Sequence, residues 1–417
     1  MTKNTSTKKA VTKKAVRLSF AELVAIIATV MALNALAIDM MLPALGIIGD
    51  ELNAPRDNDR QKIVVYYIMA NGFGQLVFGP IVDRFGRRPV LIFSLLAYVA
   101  GSFLSIFATT FSLLIAARIF QGATTAAARV AALAIVRDQV SGRKMAEVMS
   151  LAITMFMAAP ILAPLLGQMV MAVASWRAIF AVLLLYGLLI AIYAMFRVPE
   201  TQAVAERKPL NVPRVISAYW GFVKTRQAIG YTLAGTCCFG GLFGYISTSE
   251  QIFLEIFKIG DFFGLAFACT AGALGAATLF NAKFVSRYGM RRITHAAVVA
   301  YIVTNLLHLM VLLLAQESFI SYLVFTATSF FCLGFIGPNT SALAMEPMGK
   351  NAGAGAAANG FFATAGAGFL GGTIGAFYDG TTMPVTIGFT ILGVLSLLII
   401  LWTEKGRLFH SPQDDPQ

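Results

Sequence analysis

The segment Gly79-Pro-Ile-Val-Asp-Arg-Phe-Gly-Arg-Arg-Pro89 is a knot of charge between two uncharged stretches. Residues 63–82 before it and 89–108 after it contain no Asp, Glu, Lys or Arg, apart from the knot itself. Each stretch is about as long as the roughly 20 apolar residues that carry a helix through a ~30 Å hydrocarbon core. The segment therefore reads as a tight polar turn between two membrane-crossing helices. It has a partial copy: Ile81-Val-Asp-Arg-Phe-Gly86 is echoed by Phe284-Val-Ser-Arg-Tyr-Gly289, displaced by 203 residues. A repeat at nearly half the length of a 417-residue chain predicts two similar halves in tandem.

The rest of the chain fits that plan. It is 58% hydrophobic and only 12% charged, with a mean hydropathy of +0.76, whereas a soluble domain is about half apolar and about a quarter charged. Twelve apolar runs are long enough to cross: roughly 19–45, 61–82, 88–108, 111–137, 144–168, 174–198, 227–250, 262–285, 292–315, 318–343, 352–376 and 380–402. They are far longer than the ~10-residue alternating strands of a membrane barrel. The expected fold is an all-α membrane protein of twelve transmembrane helices in two six-helix, pseudo-symmetric halves. The expected organisation is a basic N-terminal tail (1–18), a first half (19–198), a linker holding Pro199, Pro209 and Pro213 (199–226), a second half (227–402) and a short tail (403–417).

Charge sets the orientation. With the N-terminus inside, 25 Lys and Arg fall on the inner face and five on the outer, with Arg118 and Arg129 left within span four. Both termini are expected in the cytoplasm of a bacterial cell, with the chain in the inner membrane. The first apolar run exceeds the 7–15 residues of a signal-peptide core and reads as a retained span. The net charge of +12 is spread over short loops, so no nucleic-acid partner is expected. Cys237, Cys238, Cys269 and Cys332 lie in apolar runs and form no C-x-x-C, and the histidines are scattered, so neither metal nor cofactor is expected. Gly366-Ala-Gly-Phe-Leu-Gly371 matches G-x-G-x-x-G by letter only, and no phosphate-binding G-x-x-x-x-G-K-[ST] occurs. No cluster of His, Cys or paired acids suggests an enzyme.

Three segments carry a resemblance. Gly79–Pro89 closely resembles the G-x-x-x-D-R-x-G-R-R signature of the major facilitator superfamily. Arg118-Ile-Phe-Gln-Gly122 is similar to its R-x-x-Q-G element in span four. Ala159-Pro-Ile-Leu-Ala-Pro-Leu-Leu-Gly167 resembles its proline-bearing antiporter element, here with Pro160, Pro164 and Gly167. Together with Asp39-Met-Met-Leu-Pro-Ala-Leu45, this last segment looks like the bicyclomycin/chloramphenicol-resistance (Bcr/CflA) branch of drug:proton antiporters. Four positions depart from the pattern: Ser286 in place of the second-half aspartate, Met41, Gln168 and Arg129. The resemblance implies an inner gate in which Asp83 pairs among Arg84, Arg87 and Arg88, Gly86 makes the turn and Gly79 admits a neighbouring helix.

It also implies a central cavity flanked by spans one and four, where the buried charges stand. Asp39 is the lone charge between Leu23 and Met41, and an ionised carboxylate in hydrocarbon costs about 2.5–3.5 kcal/mol. Asp39 and Arg118 each lie ~10 Å below the outer surface. They are expected to form an ion pair that breaks when Asp39 takes a proton. Arg118 and Arg129 are eleven residues apart, roughly 20° from alignment on the helix and ~16 Å apart in depth. Asn34, Met41, Gln121, Arg129 and Met157 are the expected substrate contacts. Glu250 and Glu255 read as a solvated outer rim. The resulting expectation is proton-coupled multidrug efflux by alternating access, exporting small amphipathic compounds and so giving antibiotic resistance. Export of an anionic metabolite or carboxylate siderophore is the alternative suggested by the arginines, followed by proton symport for uptake and a non-transport sensor. The expected partners are substrate, protons and lipid, with the chain a monomer.

Overall fold

The computed structural model describes residues 18–207, 209–315 and 317–409. Most of the basic tail, Lys208 and the last residues of the C-terminal tail lie outside the described residues. Shielded from water, a backbone must satisfy its N–H and C=O groups internally, and the apolar runs do so as helices. Among the described residues there are fifteen α-helices and no strand.

The first seven are α1 (Phe20–Asp39), α2 (Leu45–Glu51), α3 (Lys62–Phe85), α4 (Arg87–Ile106), α5 (Phe111–Gln139), α6 (Gly142–Val173) and α7 (Arg177–Arg197). Next comes α8 (Val212–Lys224), followed by α9 (Arg226–Glu250), α10 (Phe263–Tyr288), α11 (Met290–Leu314) and α12 (Phe319–Met345). The last three are α13 (Ala352–Phe361), α14 (Ala367–Ala376) and α15 (Met383–Thr403). Among the described residues, eleven helical stretches are long and apolar enough to cross a membrane. The twelfth expected span, 352–376, is helical throughout but is divided into α13, a π turn at Phe362–Gly366 and α14.

Local chemistry explains the boundaries that matter. Ser19 and Glu22 form a reciprocal capping box at the start of α1. Span one does not run unbroken to 45. Pro43 has no N–H to continue the ladder, so α1 stops at Asp39 and the chain passes through a 3-10 turn (Leu42–Ala44) into α2. Gly86 alone joins α3 to α4 at φ +101°, a region that disfavours side-chain-bearing residues. Gly289 joins α10 to α11 in the same way at φ +79°, so the sequence repeat is also a repeat of turn geometry.

The segment expected to be a plain polar linker contains α8. Asn211 caps it by accepting from Arg214 N, and Pro213 sits in its first turn. Val212, Ile216 and Trp220 form an exposed apolar stripe, while the Tyr219 hydroxyl donates to the Leu76 carbonyl and Phe222 is buried. Large apolar side chains such as Phe93, Val173, Leu185 and Leu313 point outward from the long helices, as lipid-facing residues do. The chain is a multi-pass membrane protein.

Within the first seven helices, α5 packs against α3 and α4, and α1 against α6. In the second group α9 packs against α12, α14 and α15, and α10 against α12. The groups meet where α3 lies against α13 and α14, and where α6 lies against α10. The end of the molecule carrying Gly86 and Gly289 is called the basic end below.

Candidate functional site

Between α1, α3, α5 and α6 on one side and α9, α10, α12 and α13 on the other lies a cavity of about 420 Å³. Sites for small molecules commonly hold about 300–1,000 Å³. Phe239, Phe243, Phe267 and Phe330 form its apolar wall. Asn34, Asn71, Gln75, Thr232 and Asn359 bring amide and hydroxyl groups to it, and Asp39 and Arg129 bring charge.

Asp39 is the last residue of α1 and is 4% exposed. It makes no hydrogen bond or ion pair among the described residues, and its Oδ1 is fully enclosed without a partner. The expected pair with Arg118 is absent. The Arg118 guanidinium is fully buried, and its hydrogen bonds go elsewhere. Nη2 donates to the Ala37 carbonyl at 2.7 Å, Nε to the Ile63 carbonyl at 3.2 Å and Nη1 to Gln121 Oε1 at 3.0 Å. Its carbon centre also lies 4.3 Å from the centre of the Tyr67 ring. The reason is the break at Pro43: the last carbonyls of a helix lack amide partners, and a cation is favoured at that end. Arg118 braces the end of α1, and Asp39 is left alone.

Two further expected contacts are corrected. Met41 is wholly buried in the core, and Gln121 is wholly buried between Arg118 and Ser102, to whose Oγ its Nε2 donates at 2.8 Å. Neither lines the cavity. Asn34, Arg129 and Met157 do, and so does Pro160 of the proline-bearing α6. Both Pro160 and Pro164 sit inside α6 without ending it. A Cβ on Gly167 would fall 2.0 Å from the Met40 carbonyl oxygen, so glycine is what lets α6 close on the broken end of α1. Arg129 has no hydrogen-bond or ion-pair partner among the described residues.

A polar chain crosses the cavity wall. The Tyr67 hydroxyl lies 3.0 Å from both Asn34 Oδ1 and Thr125 Oγ1. Asn71 Nδ2 donates to Asn34 Oδ1, and Gln75 Nε2 donates to Asn71 Oδ1 and to Thr364 Oγ1 of the π turn. The chain of contacts thus runs from Arg118 through Tyr67 to the second group of helices.

At the basic end, Arg87 pairs with Asp83 at 3.1 Å and with Asp138 at 3.0 Å. Its backbone N–H donates to Glu200, which also faces Arg207. Arg88 donates to the Met195 carbonyl, and Arg84 is exposed. A Cβ on Gly86 would strike the Glu200 carboxylate at 2.3 Å. A Cβ on Gly79 would meet nothing within 4 Å, contrary to the close approach expected there. Among the described residues, every partner of Asp83, Arg87 and Arg88 belongs to α1–α7 or to the segment just after α7. The expected latch therefore does not join the two groups of helices here.

Besides the Gln75–Thr364 bond in the cavity wall, the described ion pairs between the groups lie at the opposite end. Arg60 pairs with Glu255, and its Nε lies 3.5 Å from Glu250 Oε2. Gln61 donates to Gln251, Asn58 Nδ2 to the Tyr378 carbonyl at 2.8 Å, and Gln251 Nε2 to Asn58 Oδ1 at 3.0 Å. Gln168 bonds to both Gly260 and Gly264. Glu250 is buried, not part of a solvated rim, and Arg60 is buried beside it. A separate depression of about 850 Å³, lined by Arg56, Asp57, Lys62 and Glu255 among others, lies at this end and shares no lining residue with the cavity.

Asn71, Gln75, Thr232, Asn359 and the four phenylalanines line the cavity without being among the contacts expected from the sequence. Asn71 and Gln75 carried a signal: two amides at i, i+4 in an otherwise apolar span place polar groups on one face. The phenylalanines carried none, because an aromatic residue in a membrane helix reads equally well as lipid-facing.

The sequence profile of the Major Facilitator Superfamily matches residues 27–376. A bicyclomycin resistance protein homolog of Haemophilus influenzae is 32% identical over 257 residues, which is 60% of this chain and 63% of that protein. A chloramphenicol resistance protein of Pseudomonas aeruginosa is 32% identical over 280 residues, 65% of this chain and 63% of that one. The matches thus span less than two thirds of either relative. By fold, the chain is similar to the human organic anion transporter MFSD10 (TETRAN), with a TM-score of 0.68 over 93% of this chain and 100% of that one, at 15% identity.

Proposed function

Because this chain belongs to the Major Facilitator Superfamily, we propose that it is a proton-coupled exporter of small amphipathic compounds, working by alternating access about the central cavity. The excess of Lys and Arg supports a cytoplasmic basic end, and the proposed exporter is a monomer in a bacterial inner membrane. The resistance proteins it resembles support antibiotics as one class of cargo. No bond of the cargo is made or broken, and no cofactor is needed.

One observation carries the reading: a carboxyl group in the cavity wall, Asp39, with no partner of its own. A permanently paired acid would be a brace. An unpaired one is free to exchange a proton for something else.

The conformation supports a cycle. With the ties at the outer end made and the Asp83 cluster holding only its own half, the state is one that loads from the cytoplasm. Cargo enters while Asp39 is ionised. The halves then rock, the Arg60 ties open, and Asp39 takes a proton from outside as cargo leaves. Return of the proton inward resets the chain. One charge crossing 100 mV is worth about 2.3 kcal/mol and each pH unit about 1.4 kcal/mol. Together they sustain a cargo gradient on the order of 500-fold.

The test is a pH jump across proteoliposomes holding the purified full chain. Asp39→Asn is expected to abolish uphill movement of cargo, and any downhill movement that remains should no longer respond to the pH jump. Full uphill pumping by that variant would end the proposal.

A further inference from the structure

The cavity holds two unpartnered charges, and their spacing is fixed by helix register. Leu18 N donates to Gln139 Oε1 at 3.0 Å, so the start of α1 and the end of α5 are level. Asp39 then stands nineteen residues along α1 from Phe20, ~28 Å up, and Arg129 ten residues back from Gln139, ~15 Å up. A second register agrees. The Tyr67 hydroxyl touches both Asn34 and Thr125. Five residues up α1 and four down α5 from that level again separate the two by ~13 Å. They are too far apart to pair, and the wall they share carries Phe239, Phe243, Phe267 and Phe330.

We infer that the cargo is dipolar. It has an apolar, preferably aromatic body, a cationic nitrogen at one end for Asp39, and a carboxylate or similar anion ~10–13 Å away for Arg129. This rests on reading the cavity as the transport site. A simple anion would satisfy Arg129 but leave the Asp39 carboxylate unpaired in the same cavity. A simple cation would leave Arg129 unpaired. A guanidinium presents a planar fork that matches a carboxylate through two parallel hydrogen bonds. The cationic end and a proton compete for one carboxylate, so occupation of Asp39 by one excludes the other. That competition is what an exchanger requires. The dipolar cargo has no net charge, so its exchange for one proton moves one charge per cycle.

The probe is 4′-(aminomethyl)biphenyl-4-carboxylate, a rigid zwitterion whose charged groups lie roughly 10 Å apart. It is compared with its methyl ester, which is only a cation, and its N-acetyl derivative, which is only an anion. Binding is measured at equilibrium to the full chain in lipid nanodiscs. The zwitterion is expected to bind about 10- to 100-fold more tightly than either derivative. Arg129→Gln should erase its lead over the ester without weakening the ester, and Arg129→Lys should keep much of that lead. Asp39→Asn should erase its lead over the N-acetyl derivative. The inference is overturned if the ester binds as well as the zwitterion, if none of the three binds, or if Arg129→Gln weakens zwitterion and ester alike. Ester movement driven by a pH gradient, with no preference for the zwitterion, would leave the exporter standing and remove only the dipolar cargo. Zwitterion preference with no response to the gradient would do the reverse.

Discussion

Arg118 ties the end of one helix to the start of another, and Asp39 stands two residues beyond the carbonyl that Arg118 caps. The two side chains share a neighbourhood but no bond. Replacing Arg118 by Gln strips partners from Ala37, Ile63 and Gln121, and is expected to destabilise the chain by about 2–4 kcal/mol, read as a lower melting temperature in detergent. Asp39→Asn should leave the melting temperature unchanged or raise it. In a double-mutant cycle the two effects should add to within about 0.5 kcal/mol, whereas a functional ion pair in this state would show as coupling beyond that. The sequence makes both charges conspicuous, since any charge inside an apolar span is. It does not give their partners. Those depend on the Ala37 carbonyl, left free because α1 ends early at Pro43, and on the start of α3 and the Gln121 side chain coming within reach.

Among the elements, α8 departs furthest from its sequence-based reading. Its Val212, Ile216 and Trp220 are exposed on one stripe, and Lys224 lies 5.6 Å from the Trp220 ring. Apolar residues on one face with basic residues beside them suit a helix lying in the interface of a bilayer. In a chain with Trp176 and Trp402 replaced by Phe, Trp220 is expected to emit at blue-shifted wavelength in nanodiscs and to be quenched by lipids brominated near the headgroup. Emission typical of water, with no quenching, would place α8 away from the bilayer. The helix was hidden in the sequence by its flanking prolines and charges, which mark the segment as a connection. The long spans were plain because a run of about 20 apolar residues has few other uses. The division of 352–376 by a π turn was not visible, since its composition is uniformly small and apolar.

At the scale of the whole molecule, the conformational state is written in where the two halves are tied. Arg60, Gln61 and Asn58 reach from the first half to Glu250, Glu255, Gln251 and Tyr378 of the second, whereas Asp83, Arg87 and Arg88 stay within the first. Arg60→Ala leaves Glu250 buried without a counter-charge and removes the central tie. It should shift the population toward the other state by roughly tenfold or more. With a cysteine at Thr232 in an otherwise cysteine-free chain, labelling by a membrane-impermeant maleimide from the basic end should slow by that factor. Unchanged labelling would mean that the Arg60 cluster does not set the state. The sequence by itself determined the fold class, the halves and the turns at Gly86 and Gly289, because hydropathy, chain length and backbone sterics are local properties that need no partner to be read. Only the tertiary structure decided that Asp39 and Arg129 stand unpaired in one cavity, that Arg118 is a brace, and that the described ion pairs between halves lie at the Arg60 end. Each of those facts is a choice of contact between residues far apart in the chain, and that choice is made only when the helices pack.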